Sequence, residues 1–227
     1  MSKPTLRAIA ALMLPALAAV AASSHACAAA AYPQTPMIAE LLADATGSDS
    51  GHAFVELFGR PGASLAGLSL VGVNGSTGSD YKTTALEGAI PADGVFVVAD
   101  DDAGSTAVPN ADLLADVDFQ NGPDSVQLRD ASGVLDAVGY GDFSGGAVFA
   151  GEGGAAPAPA AGSSLARLTL ADTDDNGADF SVLSAPTPGS VPVSAVPVPP
   201  ALWLFGSGLG MLMVRRRSPA GGVRRAV

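Results

Sequence analysis

Outside its two ends, the chain never sustains a helical period for more than two turns, and turn residues break it at short intervals. Gly47, Gly62, Asn74-Gly75, Asp93-Gly94, Asn121-Gly122 and Ser132-Gly133 supply the breaks, because these residue types tolerate the backbone angles that reverse a chain. Between them lie runs of β-forming residues: Met37 to Leu42, His52 to Phe58, Leu68 to Val73, Tyr81 to Leu86, Val95 to Ala99, Ser125 to Arg129, Val134 to Tyr140 and Ser164 to Leu170. Runs of this length and spacing predict an all-β domain of the sandwich kind. In the second run Phe54, Glu56 and Phe58 share one face, and Val55 and Leu57 the other. The Ser132-Gly133 break predicts a tight hairpin. Residues 144–162, with Gly145-Gly146, Gly153-Gly154 and Pro157-Ala158-Pro159, predict a flexible insertion before the last strand rather than a packed segment.

Composition narrows the function classes. Charged residues are 15% of the chain, and there are 28 Gly, 17 Pro, two His and one Cys. That excludes a coiled coil, a long helical bundle and a disulfide scaffold, and disfavours a metal-rich enzyme. All 22 acids lie between Glu40 and Asp179, where Arg60, Lys82, Arg129 and Arg167 are the only bases, so this stretch carries −18. Such a body repels phosphate backbones, and nucleic acid is not an expected partner.

The bases at the two ends have another reading. Lys3 and Arg7 precede an apolar run, Ala8 to Ala22, and a small-residue stretch up to Ala31. This is the pattern of a helical secretory signal peptide over residues 1–31, too short in its apolar part to span a bilayer. Cys27 falls within this leader, and the preceding Ser24-His25-Ala26 lacks the leucine of a lipoprotein signal. At the other end, residues 191–200 form a Pro-rich spacer. Ala201 to Val214 is an apolar helical run of 14 residues, or 19 from Val196, followed by Arg215-Arg216-Arg217 and a basic tail over 218–227. The arginine cluster predicts a cytoplasmic C-terminus.

Val196-Pro197-Val198-Pro199, the block Ala201-Leu202-Trp203-Leu204-Phe205-Gly206-Ser207-Gly208-Leu209 and the arginine cluster over residues 215–217 together resemble the PEP-CTERM sorting signals of Gram-negative bacteria. The Pro-Glu-Pro core reads Pro197-Val198-Pro199 here, as in related Val-Pro-x-Pro tails. The resemblance implies Val196, Pro197, Pro199, Trp203 and Arg215, Arg216, Arg217 as the sorting signal. It also implies an exosortase-type membrane enzyme as a processing partner, and export to the envelope, surface or matrix, with exopolysaccharide or other surface proteins as companions.

The order of the central runs also resembles the lamin-tail domain. The matching stretches are Ile38-Ala39-Glu40-Leu41, Phe54-Val55-Glu56-Leu57-Phe58, Leu65-Ala66-Gly67-Leu68-Ser69-Leu70, Ile90 to Ala99, Asp124-Ser125-Val126-Gln127-Leu128, Leu135 to Gly141, Ser164-Leu165-Ala166-Arg167, Asp172 to Phe180 and Thr187-Pro188-Gly189. The resemblance covers residues 35–190 and implies an immunoglobulin-like β-sandwich. It implies no single chemistry, since fold and function separate in such families.

The residues themselves offer little catalysis, and no catalytic residue is assigned. His52 begins a strand with no nucleophile pattern beside it. Glu40 and Glu56 are the best carboxylate pair for a secreted hydrolase, but they read first as structural strand residues. Calcium is the one cofactor to weigh. Asp172, Asp174 and Asn176, followed by Gly177, match the front half of a D-x-[DN]-x-[DN]-G loop, while the twelfth position is Leu183 rather than an acid. The same run reads as an Asx-rich turn before the final strand. Asp100-Asp101-Asp102 is a second acidic knot that reads as a solvated loop. The expectation is therefore an exported, non-enzymatic surface or matrix module. A calcium-dependent polysaccharide-binding module is the alternative, and a hydrolase the weakest reading.

Overall fold

The computed structural model describes residues 32–191. The expected signal helix, the C-terminal apolar helix and the sorting residues Val196, Pro197, Pro199, Trp203, Arg215, Arg216 and Arg217 lie outside them, as does Cys27. The described residues are all-β, in two sheets. Ten strands run in the order β1 (Met37–Leu42), β2 (Phe54–Phe58), β3 (Ser69–Asn74), β4 (Asp80–Ala85), β5 (Val95–Asp100), β6 (Leu113–Ala115), β7 (Asp124–Asp130), β8 (Gly133–Tyr140), β9 (Ser164–Arg167) and β10 (Phe180–Leu183). A one-turn helix, α1 (Asn176–Asp179), and a 3-10 turn at Ser144–Gly146 are the helical pieces among the described residues. None is long and apolar enough to cross a membrane.

One sheet has six strands in the order β10-β9-β1-β2-β5-β6, and the other four, β4-β3-β7-β8. All pairs are antiparallel except β5–β6. The hairpin expected at Ser132-Gly133 joins β7 and β8, with Asp130 opposite Gly133. The Asp130 carboxylate accepts from the Ser132 and Gly133 amides and sets this turn. Both sheets feed one hydrophobic cluster, which includes Ile38, Val55, Leu57, Phe96 and Val98 from one sheet and Leu70, Val126, Leu128, Val138 and Tyr140 from the other.

Strand periodicity alone predicts one wet face per strand, yet β1, β2 and β5 are buried throughout. The faces of these three strands pointing away from the shared cluster are covered. On the six-stranded sheet, Met37, Ala39, Phe54, Phe58, Val95, Val97 and Ala99 form a second apolar cluster, against which Tyr32, Ala111, Leu170 and Val191 pack. On the four-stranded sheet, parts of the 144–162 segment pack against β7 and β8, while most of its residues are exposed or half-buried. Ala156 is buried and bridges to Tyr140. Gln127 Nε2 donates to the Ala150 carbonyl at 2.6 Å. The Phe149 ring lies directly over Gly139, where a Cβ would come within 2.3 Å of it. Absence of a side chain at Gly139 gives that aromatic its seat.

Candidate functional site

Most of the buried charge collects in two centres, one around Arg167 on β9 and one at Glu40 and Glu56 on β1 and β2. The first is built around Arg167, the last residue of β9, which is 0% exposed. Its Nε donates to the Ile38 carbonyl at 3.0 Å, and Nη1 donates to the Ala171 carbonyl at 3.1 Å and to Asp179 Oδ2 at 2.6 Å. Nη2 donates to Asp136 Oδ1 at 2.8 Å. Asp172 Oδ1 lies 3.3 Å from Nη1, and Glu152 Oε2 3.8 Å from Nη2. Phe180, opposite Arg167 in the β9–β10 register, stacks its ring 4.5 Å from the guanidinium carbon. One cation thus faces four acids drawn from β8, the 144–162 segment and the turn before β10. A planar five-donor fork suits this many acceptors better than a point charge.

The excess acid has a consequence at Glu152. Burial first, then repulsion from Asp136 and Asp172, pushes its carboxyl up to about 7, against a lowering by Arg167. Its Oε2 is buried without a hydrogen-bond partner. Burial alone would raise Asp179 too. Hydrogen bonds from Thr173, and then Arg167, override burial and hold that carboxyl below its ordinary value.

Asp136, Glu152 and Asp172 offer carboxylate oxygens within 4.8 Å of one another, a spacing that could hold a metal ion. Those oxygens already face Arg167. The expected calcium loop does not form around them. Asp174 is exposed, with a left-handed φ of 56°. Asn176 is fully buried, and its side chain is turned inward. Its Oδ1 accepts from the Gly139 and Glu152 amides, both at 2.9 Å, and its Nδ2 donates to the Ala137 carbonyl at 2.7 Å. Asp175 instead caps α1, accepting from the Gly177 amide. Of the three residues Asp172, Asp174 and Asn176, only Asp172 reaches the acidic centre. The reason is physical: the loop bends into a helical turn where a calcium loop would place its later ligands, and the Asn176 amide satisfies backbone groups of β8 and the covering segment.

The second centre is the pair Glu40 and Glu56. They sit opposite each other across β1 and β2, and are 2% and 1% exposed. A register shift between Ile38 and Glu40 brings Glu40 onto this face. Glu40 accepts from the Ser164 hydroxyl, from the Thr187 amide at 2.9 Å and from the Thr187 hydroxyl at 2.7 Å. Glu56 Oε2 accepts from the Gly189 amide at 2.7 Å. Burial pushes Glu56 up to about 7, countered by the Gly189 amide and reinforced by Glu40. Both carboxylates thus serve the segment after β10.

No family model and no curated protein matches the chain.

The remaining sequence candidates scatter. His52 is exposed, and its Nδ1 is 2.9 Å from the Ser50 carbonyl oxygen. It lines an apolar cavity of about 180 Å³ with Phe54, Val108, Pro186 and Pro188. Asp100, expected to be solvated, is buried at the end of β5, accepting from the amides of Gly51, Val117 and Asp118. That bonding ties the loop before β2 and the loop before β7 to the end of β5, so the acidic knot is partly structural. Sequence reasoning passed over Arg167, Asp136 and Asp179 as a centre. The available signal was Asp136 and Arg167, each inside an apolar strand run, since each needs a buried partner on such a face.

Proposed function

We propose that this is an exported, non-enzymatic surface or matrix protein. Its body would be an immunoglobulin-like sandwich of the lamin-tail kind, delivered by the signal over Val196 to Arg217 and processed by an exosortase-type enzyme. The observation that carries the reading is the C-terminal tail: a Pro-rich spacer, a short apolar run and a terminal arginine cluster in sequence. The fold supports it from the other side. One hydrophobic cluster draws on both sheets, as two packed layers would. The buried acids Asp136, Asp179, Glu40 and Glu56 accept hydrogen bonds from the protein itself, which suits a binding scaffold better than a reacting site. Recognition would then fall to loops and sheet edges.

The test is the intact mass and cell fraction of the protein recovered from its source. A mass ending near residues 196–200, from the medium or the surface, is the expected result. A mass that retains Trp203 through Val227, in the inner membrane, overturns sorting and leaves a tethered module.

A calcium-dependent polysaccharide-binding module is a second reading, favoured by the close approach of Asp136, Glu152 and Asp172. Retention of an acidic polysaccharide in calcium, lost in chelator, would establish it over the first.

A further inference from the structure

An asparagine followed by a glycine carries its own reactive pair. The glycine amide nitrogen can attack the asparagine side-chain carbonyl, and glycine places no Cβ in the way of ring closure. The chain has four asparagines, and three of them, Asn74, Asn121 and Asn176, precede a glycine. Residue order does not separate the three. Their surroundings do, because the attack needs an amide that is not already donating and a side chain that can turn.

Asn74 and Asn176 are held on both counts. The Gly75 amide donates to the buried Asp124 Oδ1 at 2.7 Å. The Asn74 side chain accepts from the Ser76 and Thr77 amides and donates to Gln120 Oε1 at 2.8 Å. The Gly177 amide donates to the Gly154 carbonyl at 2.9 Å and to Asp175 Oδ1 at 3.1 Å. The Asn176 side chain is buried, with its oxygen and its nitrogen both engaged. Asn121 differs. Both it and Gly122 are exposed, in the loop before β7. Among the described residues, neither the Asn121 side chain nor the Gly122 amide has a hydrogen-bond partner. The loop is tied on either side of them. The Gln120 amide donates to the Tyr81 hydroxyl at 2.9 Å, and its carbonyl accepts from the Tyr140 hydroxyl at 2.6 Å. Asp124 pairs with Asn74 and Tyr140 at the start of β7.

We infer that Asn121 is a self-modification site, at which the Gly122 amide closes on the side-chain carbonyl and water opens the ring to aspartate or isoaspartate, while the fold protects Asn74 and Asn176.

The chemistry needs only water. The Gly122 nitrogen loses its proton and bonds to Asn121 Cγ. The Cγ–Nδ2 bond breaks, and the side-chain nitrogen takes up a proton and leaves as ammonia. Water then adds to either carbonyl of the resulting succinimide. Opening at Cγ restores the main chain and leaves aspartate. Opening at the main-chain carbonyl leaves isoaspartate, with the backbone running through the former side chain. Either product adds a negative charge to a body that already carries −18. Isoaspartate also lengthens the main chain between the anchored Gln120 and Asp124.

The test is incubation of the full chain at mildly alkaline pH, folded and in guanidinium chloride, with conversion at each asparagine read by peptide mass mapping. In the folded chain Asn121 should convert at least about tenfold faster than Asn74 or Asn176, because each of those must first break bonds to buried partners. In denaturant the three rates should converge. The acidic form that accumulates in the folded chain, read by ion exchange, should be absent from Asn121→Gln, whose longer side chain closes the ring poorly. Comparable rates at all three asparagines in the folded chain, an Asn121 no faster than Asn74, or an acidic form that persists in Asn121→Gln overturns the assignment.

Discussion

The two acidic centres solve burial in opposite ways. At the first, a guanidinium sits among Asp136, Asp172, Asp179 and Glu152, and Asp136 and Asp179 receive charge-assisted bonds of 2.8 and 2.6 Å. At the second, Glu40 and Glu56 have only hydroxyls and backbone amides. A buried ion pair costs desolvation on both sides and becomes sensitive to loss of either partner. A carboxylate held by neutral donors depends instead on its own protonation. The first centre is therefore an ion-paired joint between β8, β9 and the 144–162 segment, and the second is held by neutral donors alone.

The sharpest way to break this contrast is to remove the cation. Arg167→Met strands Asp136 and Asp179 without a counter-charge, and should cost about 3–5 kcal/mol in urea denaturation. Arg167→Lys should recover only part of this, because an ammonium lacks the fork that serves four acceptors. A loss below about 1 kcal/mol for the methionine variant would show that the two centres are equivalent. Next in size is Asn176→Ala, which leaves the Gly139 and Glu152 amides and the Ala137 carbonyl without their bonds. About 2–3 kcal/mol should be lost, with earlier proteolytic cutting within residues 147–156. An unchanged cutting pattern would mean that the segment is held by Phe149 and Ala156 alone.

A smaller effect separates the centres by pH. Glu56 and Glu152 are both raised to about 7 from an ordinary 4.5. A group raised in the folded state contributes stability below its unfolded value and loses it as pH climbs through the folded one. Domain stability should thus decline between about pH 4.5 and 7 on account of these two groups. Glu56→Gln should flatten that decline more than Glu152→Gln, because the Glu152 side chain is 19% exposed and solvent screens it. Equal flattening would remove the distinction. Asp179, held low, works in the opposite sense, and its contribution is lost in acid. The smallest expected change is with calcium. With Arg167 already facing the three acids, millimolar calcium should move the melting temperature by no more than about 1 °C relative to chelator. A rise of several degrees would show that the ion takes the site.

Much of the strand pattern was legible from residue order. The turn residues bounded the runs that became β1 to β5 and β7 to β9, and the alternation of Phe54, Glu56 and Phe58 against Val55 and Leu57 is the split between the two hydrophobic clusters. β6, three residues long and paired in parallel with β5, was not legible, because so short a run carries no period of its own. The metal reading of Asp172, Asp174 and Asn176 had the right residue types. It failed at Asn176 because the same short Asx side chains that ligate calcium also cap helices and satisfy backbone amides.

Sequence by itself determined the all-β class, the hairpin at Ser132-Gly133 and the acidic charge of the body, since these follow from local backbone preference and simple counting. Only the tertiary structure decided which acids are buried together, which cation they share, and that Thr187 and Gly189 meet Glu40 and Glu56. Those outcomes rest on contacts between residues up to 147 positions apart, such as Thr187 with Glu40. Local propensity carries no information about pairs so distant, and burial is a property of what packs on top.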